Sequence, residues 1–213
     1  MKKLLFIVNG LGLGNSTRCE SIIKFLIAKG IKVDILTSNN GEYYFKKQNC
    51  YSFLYEFKSF YYAKNKNGEL SIWRTILNIP KFIIFFFHNV RFLKNLIRTN
   101  NYNGVVIDSD YTILWLKRWI KIPVFALNNA CIVVGECKKL NAIPKEIKMQ
   151  YLIEKCDNWF HQIIPDIVLI PSLSFNTFEK KKSFYYLPPF IRDGLKVRNS
   201  VYDLKRILVM LSG

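Results

Sequence analysis

The chain has 213 residues, a length sufficient for one well-filled hydrophobic core. Half of the residues are hydrophobic and 15% are aromatic, which excludes a disordered chain. The formal net charge of +17 favours anionic partners, such as phosphorylated substrates, nucleic acid or an acidic membrane surface. AT-rich coding would also enrich Lys, Asn, Ile, Tyr and Phe together, so a compositional origin of the charge stays open.

Motifs for metal binding, secretion and membrane crossing are missing from the sequence. The 5 cysteines form no C-x-x-C pair and have no histidine at metal-ligand spacing, so we predict reduced thiols and no metal site. Met-Lys-Lys precedes an apolar run too short for a signal peptide, so a cytoplasmic protein is expected. The apolar run at residues 82–87 is far shorter than the ~20 residues of a membrane-spanning helix.

The first half of the chain alternates between strand and helix patterns. Residues 4–8 are continuously apolar, which is typical of a strand buried on both faces. A helix is predicted over residues 16–29, a strand over 31–36, a short helix over 42–49 and a strand over 51–57. A polar loop at 61–69 precedes a long helix over 71–99, with Pro80 at a kink or break.

The second half continues this alternation. Strands are predicted over residues 104–108, 123–127 and 166–170, and helices over 111–119 and 143–164, followed by an extended segment at 185–192 and a strand at 207–213. The pattern predicts a doubly wound parallel α/β sheet, Rossmann-like, with ligands at the carboxyl ends of its strands. We expect residues 1–195 to form one domain and residues 196–213 a linker and the first strand of a truncated second domain.

Three glycines, Gly10, Gly12 and Gly14, alternate between the first strand and the first helix. Such a loop lets the backbone approach a ligand and directs helix N–H groups at an anion. The spacing differs from the dinucleotide fingerprint G-x-G-x-x-G, and the second strand ends in residues 37–40, which include no acid. A nicotinamide-dependent enzyme is therefore disfavoured, and the absence of Gly-Lys-[Ser/Thr] there argues against a Walker-type phosphate loop.

The stretch Gly12-Leu-Gly-Asn-Ser-Thr-Arg18 resembles the G-x-G-H-x-x-R loop of GT-B glycosyltransferases, which include the peptidoglycan lipid-intermediate N-acetylglucosaminyltransferase and the UDP-glycosyltransferases. Similarity at residues 108–127, 156–171, 187–192 and 207–213 extends the resemblance over nearly the whole chain. It implies the N-terminal, acceptor-binding half of a GT-B fold, part of a hexosyltransferase and inactive alone.

This resemblance also implies the partners. The donor would be a nucleotide sugar, expected to be a UDP-sugar, bound mainly by the other half, and no cofactor would bind to this half. The acceptor would be a carbohydrate or a lipid-linked molecule, and no nucleic-acid partner is expected. A peripheral position on the inner face of the cell membrane would follow from a lipid-linked acceptor.

The resemblance places acceptor contacts in the loop and at the end of a later strand: Gly12, Gly14, Asn15, Ser16, Arg18, Asn128 and Asn129. Family members often carry His where this chain has Asn15, and an amide cannot accept a proton at neutral pH. Arg18 would contact an acceptor phosphate or pair with an acid such as Asp108. Asn128 and Asn129 would bind acceptor hydroxyls or simply form a turn.

The catalytic base must then lie elsewhere, and Asp108 and Asp110 are the available acids at a strand's carboxyl end. Each also fits a helix N-cap or a solvated loop acid. His88 and His161 lie far apart on predicted helices without a catalytic partner, so structural roles are expected for both.

Basic residues flank the apolar run of the long predicted helix, and a membrane contact by Lys81, Phe85, Phe86 and Arg91 is one interpretation. An ordinary core helix with a solvated basic edge is the other. A different class of function is a non-catalytic module that binds anionic membranes or nucleic acid, consistent with the charge and with the loss of the loop histidine.

Overall fold

The computed structural model describes residues 1–58, 63, 77–140, 142–172 and 183–188. Within them lie the strands β1 (Lys3–Val8), β2 (Lys32–Thr37), β3 (Phe53–Glu56), β4 (Gly104–Asp108), β5 (Val124–Leu127), β6 (Ile167–Pro171) and β7 (Phe184–Leu187). All pair in parallel in the order β3-β2-β1-β4-β5-β6-β7. The predicted Rossmann-like parallel sheet is confirmed, and its strand order reverses between β1 and β4.

The helices of the described part are α1 (Leu13–Ala28), α2 (Asn39–Gln48), α3 (Ile79–Thr99), α4 (Ala130–Lys138) and α5 (Lys148–Ile163), with short 3-10 helices at Thr112–Leu116 and Lys145–Ile147. None of the helices in these ranges is both long enough and apolar enough to cross a membrane.

Hydrophobic layers cover both faces of the sheet. On one face, Leu5 and Ile7 of β1 belong to a buried cluster that includes Leu93 of α3. On the other face, Phe6 of β1 packs in a cluster with Ile23 of α1. Successive strand residues point to opposite faces, so a sheet covered twice requires an uninterrupted apolar strand. Burying each such side chain contributes ~1.5–3 kcal/mol to the stability of the fold.

Several boundaries differ from the sequence predictions. Helix α1 begins at Leu13, three residues before the predicted start at Ser16, so Gly14 lies in its first turn. Pro80 is the second residue of α3. The N–H groups of the first helical turn have no acceptor within the helix, so a proline there breaks no helical hydrogen bond and does not kink the described helix. The sequence reading did not predict α4.

The predicted helix over residues 143–164 is divided into a 3-10 turn and α5. Other predictions lie outside the described residues. These are most of the polar loop at 61–69, the start of the long helix at 71–76, the end of the extended segment at 189–192, and the linker and strand at 196–213.

Candidate functional site

The carboxyl ends of β1 and β4 meet at the point where the strand order reverses. Val8 pairs with Asp108 in the sheet register, so the loops after the two strands leave it side by side. In open parallel α/β sheets, ligands bind in the crevice at this position. The residues of these two loops therefore define the candidate site.

Asn9 connects the two loops. Its backbone N–H donates to the Asp108 carbonyl oxygen at 3.0 Å, and its side-chain Nδ2 donates to the Ser109 carbonyl oxygen at 2.9 Å. Its Oδ1 accepts a hydrogen bond from the Leu11 N–H at 2.9 Å. Asn9 was not among the predicted site residues, although an asparagine between an apolar strand and a glycine is a signal for such a turn.

The three loop glycines differ in what surrounds them. A Cβ on Gly10 would lie 1.7 Å from the Ser38 carbonyl oxygen, so this position requires glycine for close packing against the end of β2. Cβ atoms on Gly12 or Gly14 would meet nothing within 4 Å, and both residues are exposed. Gly10 is therefore explained by the fold, whereas packing against the described residues does not require glycine at positions 12 and 14.

Arg18 and Asp108 form an ion pair beneath this loop. The Arg18 Nε donates to Asp108 Oδ2 at 2.9 Å, its Nη2 donates to Oδ1, and the Cys19 Sγ lies 3.2 Å from Oδ2. Burial raises the pKa of Asp108, and the Arg18 guanidinium opposes that rise. Burial alone would lower the pKa of Arg18, but the Asp108 carboxylate raises it.

This arrangement confirms that Arg18 pairs with Asp108. The Asp108 side chain is 0% exposed, and both its oxygens already accept hydrogen bonds from Arg18. An acceptor hydroxyl could not reach the carboxylate in this arrangement. The geometry fits a structural role for Asp108 and not the role of a catalytic base that the sequence suggested.

Asn15 and Ser16 follow each other in α1 but face different surroundings. Asn15 is partly exposed, and its Oδ1 lies 3.4 Å from the Arg18 Nη2. Ser16 is fully buried, and its Oγ is close to Gly41 of α2 and has no hydrogen-bond partner in the described part. Of the two predicted acceptor contacts, only Asn15 is partly exposed, because consecutive helix residues point about 100° apart.

An open cavity of about 500 Å³ lies between the carboxyl ends of β1 to β4 and the first half of α3. Its apolar lining consists of Val8, Leu11, Phe57, Ile79, Phe82, Ile83, Phe85, Phe86, Phe87 and Trp115. Its polar lining consists of Asn9, Ser38, Lys58, Asn89, Asp110 and Thr112. The sequence had suggested Phe85 and Phe86, within the apolar run at 82–87, as membrane contacts and Asp110 as a catalytic acid. It did not indicate that these residues line one cavity, because the lining comes from five separate segments.

Among the described residues that line the cavity, Asp110 is the one with a carboxylate. Its Oδ1 accepts a hydrogen bond from the Thr112 N–H at 2.9 Å, so it also caps the 3-10 helix, as one of the two interpretations expected. Burial raises the pKa of Asp110, and the hydrogen bond from Thr112 opposes that rise. Ser109, between the two acids, has φ of +54°, a left-handed conformation that separates the directions of Asp108 and Asp110.

The two asparagines after β5 differ in their exposure. Asn128 is 5% exposed; its Oδ1 accepts from the Ala130 N–H at 2.5 Å, and its Nδ2 donates to Asp157 Oδ2 at 2.6 Å. This side chain forms the turn that was the alternative to acceptor binding. Asn129 is exposed beside it.

The histidines occupy different environments. His161 is 2% exposed, and its Nδ1 lies 3.3 Å from Asp157 Oδ1. His88 is an exposed residue of α3. Neither residue lines the cavity.

The four predicted membrane contacts all lie on α3, but they differ in exposure. Lys81 and Arg91 are exposed, whereas Phe85 and Phe86 are half-buried and line the cavity. The most exposed apolar side chains of this part of α3 are instead Ile84, at 68%, and Phe87, at 60%. The helix therefore combines a core face, a cavity face and an exposed apolar face.

Metal ligands are not assembled in the described ranges. Within residues 1–58, 63, 77–140, 142–172 and 183–188, no group of three or more His, Cys, Asp and Glu side chains could hold a metal ion. All 5 cysteines are free thiols.

Residues 2–212 match the family described as Glycosyl transferase family 1. The chain belongs to this family. No curated protein matches it in sequence. Its Rossmann-like parallel α/β fold matches that of GT-B glycosyltransferases.

Three solved structures illustrate the likeness of this family member. The glycotransferase of kitacinnamycin is 14% identical, with a TM-score of 0.54, and the match covers 97% of this chain and 55% of that one. Phytolacca americana UGT2, complexed with UDP-2fluoro-glucose and pterostilbene, is 10% identical, with a TM-score of 0.57 and coverage of 91% and 55%. Acinetobacter baumannii MurG is 17% identical, with a TM-score of 0.46 and coverage of 84% and 44%. The chain thus spans about half the length of the structures it matches.

Proposed function

We propose that this chain is the acceptor-binding half of a glycosyltransferase, with the acceptor in the α3 cavity and Asp110 as the base that takes the proton from the acceptor hydroxyl. The observation that carries the proposal is the position of Asp110: a carboxylate in the wall of a mostly apolar cavity, at the end of β4. Family membership supplies the class of reaction.

For a transfer with inversion, the acceptor oxygen attacks the anomeric carbon of the donor sugar. The bond between that carbon and the diphosphate oxygen breaks, the diphosphate leaves with the electron pair, and the hydroxyl proton passes to Asp110. The raised pKa of Asp110 makes its carboxylate a stronger base than an exposed aspartate. A positioned general base contributes ~10²–10⁴-fold to the rate.

The open start of α1 is the second part of the proposed site. Gly12 and Gly14 are exposed and Asn15 is partly exposed at the start of α1, where backbone N–H groups and an amide could hold the acceptor in place. Asn129 is exposed at the end of β5 and could donate to an acceptor hydroxyl. We further propose a UDP-sugar donor, bound mainly by a half of the enzyme outside this chain.

The test compares Asp110→Asn with Glu136→Gln, an exposed acid of α4 that pairs with Lys139, as the matched control. Transfer is measured in the protein that joins this chain to its nucleotide-sugar half, because the chain alone is expected to transfer no sugar. Asp110→Asn should lower kcat by ~10²–10⁴-fold with acceptor binding unchanged. Unchanged kcat in Asp110→Asn would refute the assignment of the base, and turnover by the chain alone would refute the division between two halves.

A contact with an anionic membrane surface is the second candidate function, and the exposed apolar side chains of α3 favour it. Ile83, Ile84 and Phe87 are exposed between Lys81 and Arg91, the composition of a helix that lies on a bilayer. Such a surface would bring a lipid-linked acceptor to the cavity. Vesicles with anionic lipid should retain the chain in sedimentation, and Ile84→Glu should release it; equal retention of Ile84→Glu would exclude this surface.

A further inference from the structure

The outer face of helix α5 is apolar along its whole length. Large hydrophobic side chains on this face are between 53% and 68% exposed: Met149, Leu152, Ile153, Trp159 and Ile163. Cys156, in the middle of the helix, is also exposed. A surface helix normally turns its apolar stripe toward the core, so α5 has the reverse arrangement. An apolar stripe on the outside of a protein marks an interaction surface.

The inner face of α5 is already occupied by contacts with the rest of the fold. Asp157 Oδ2 accepts the hydrogen bond from Asn128 Nδ2 at 2.6 Å. The buried His161 ring meets the Tyr111 ring edge-on, with 5.8 Å between the ring centres, and the Phe160 ring lies 5.3 Å from the same tyrosine. These contacts fix the rotation of the helix about its axis, so the apolar stripe cannot turn inward without breaking them.

The spacing of the exposed stripe indicates the kind of partner. Its residues alternate at intervals of three and four: Met149, Leu152, Cys156, Trp159 and Ile163. This repeat, sustained over two heptads, is the seam through which one α-helix packs against another. The expected partner is therefore a helix with an apolar stripe of its own, and α5 is itself such a helix.

The seam is complementary to itself about its middle residue. Cys156 is seven residues from Met149 and seven from Ile163. In an antiparallel pair, Met149 of one copy therefore lies beside Ile163 of the other, and the two Cys156 side chains meet at the two-fold axis. A symmetric dimer requires a surface patch that complements itself in this way.

The size of the exposed surface fits such a pair. Five side chains that are each about half exposed present roughly 500 Å² of apolar surface in each copy, on the scale of burying a large hydrophobic side chain. Two copies would therefore bury about 1,000 Å², which is the area that a specific interface needs. The stripe is large enough for a dimer without a contribution from other parts of the surface.

The direction of α5 keeps the candidate site open in an antiparallel pair. The helix ends at Ile163, before the start of β6, so it runs from the carboxyl edge of the sheet toward the opposite edge. Antiparallel helices then direct the carboxyl edges of the two sheets away from each other. Each candidate site stays accessible to a nucleotide-sugar half, which has to face that edge and not the outside of α5.

We propose that two copies of this chain form a symmetric dimer through antiparallel packing of their α5 helices. The pairing is independent of the acceptor and of the catalytic base. Each copy carries a net charge of +17, which opposes association, so salt should strengthen the dimer by screening this repulsion. Dimerisation that weakens as salt is added would mean that ionic contacts hold the copies together, and would overturn the proposal.

Sedimentation equilibrium of the 213-residue chain tests the surface. Leu152→Glu should raise the Kd of the dimer at least ~10-fold, because it places a charge in the apolar seam. The control is Phe25→Glu, which changes an equally exposed side chain of α1 on the other face of the sheet and should leave the Kd unchanged. Circular dichroism checks that both variants keep their helix content. A parent chain that stays monomeric at ~100 µM, or a dimer that Leu152→Glu does not weaken, would overturn the proposal.

Cross-linking tests the geometry independently of stability. Oxidation with copper–phenanthroline should link two copies through Cys156, so Cys156→Ser should abolish the link and Cys137→Ser should retain it. In chains that carry Cys156→Ser, a chain with Met149→Cys should link to a chain with Ile163→Cys more readily than to itself. Preferential linking of Met149→Cys to itself would indicate parallel helices and contradict the proposed arrangement.

Other partners of α5 predict different results. If a nucleotide-sugar half covered this helix, the Cys156 link would disappear in the protein that joins the two halves. If a bilayer covered it, vesicles of neutral phosphatidylcholine would retain a monomeric parent chain and release Leu152→Glu. Either result would overturn the dimer, whereas a Cys156 link that persists in the joined protein would support it.

Discussion

The Arg18 guanidinium donates hydrogen bonds from Nε and Nη2 to the two oxygens of the Asp108 carboxylate. This ion pair connects the second turn of α1 to the end of β4. The two residues are 90 positions apart in the chain, and the Asp108 side chain is 0% exposed. Because α1 begins at Leu13, directly after Gly12, this pair holds the glycine loop beside Ser109 and Asp110. The ion pair thus fixes the position of these two loops relative to each other.

Asp108→Asn should lower the free energy of unfolding by ~3–5 kcal/mol, because it leaves Arg18 partly buried without its counter-charge. Urea denaturation monitored by circular dichroism measures this loss. Arg18→Lys keeps the charge but loses the bidentate hydrogen bonding, so a smaller decrease in the free energy of unfolding is expected. Full stability of Asp108→Asn combined with lost transfer would instead give Asp108 a catalytic role.

The pH dependence of transfer should report Asp110. A base must be ionised, and burial raises the pKa of Asp110 above that of an exposed aspartate. As the pH falls, kcat/KM should therefore decline through a pH above the ordinary range of aspartate, with full activity on the alkaline side. In Asp110→Asn, the residual rate should no longer decline in this way as the pH falls. If the decline persists in this variant, a group other than Asp110 causes it.

Alanine substitutions at two of the loop glycines, Gly10 and Gly14, should have different effects on stability. Gly10→Ala places a Cβ 1.7 Å from the Ser38 carbonyl oxygen, so a loss of at least ~1–3 kcal/mol of stability is expected. Gly14→Ala meets open space in the first turn of α1 and should be neutral or stabilise by up to ~1 kcal/mol. Thermal unfolding compares the two variants, and a stable Gly14→Ala with raised acceptor KM would support a ligand contact at the start of α1. Equal stability of the two variants would contradict the close packing of Gly10.

The two consecutive asparagines after β5, Asn128 and Asn129, provide a matched comparison. Asn128→Ala removes the hydrogen bonds to the Ala130 N–H and Asp157 Oδ2, so a loss of ~1–3 kcal/mol is expected. Asn129→Ala changes an exposed side chain and should alter stability by less than ~0.5 kcal/mol. Chemical denaturation measures both, and acceptor KM should change only in Asn129→Ala if that residue binds the acceptor.

The strands and their order of appearance could be read from the sequence. Apolar runs such as those of β1 and β4 reflect burial on both faces, which is a local requirement on composition. The glycine loop and its family resemblance were equally visible, because they depend on a short continuous motif. Helix starts were less accurate: α1 begins at Leu13, without a side-chain cap that the sequence could have signalled.

The division of roles between Asp108 and Asp110 was not visible in the sequence. Both acids follow the same apolar run, and both fit a catalytic base or a cap by local criteria. Their surroundings come from distant segments: Arg18 reaches Asp108 from α1, and α3 forms the cavity wall opposite Asp110. Burial and pairing by distant residues set the accessibility and pKa of a carboxylate, and sequence spacing does not encode them.

The sequence by itself determined the alternation of elements, the parallel sheet and the family, because hydrophobic periodicity and a contiguous motif are local properties of the chain. Only the tertiary structure decided which glycine is closely packed and which acid is paired. Each of those facts depends on contacts between segments that the fold brings together, and such contacts arise only when the helices and strands pack.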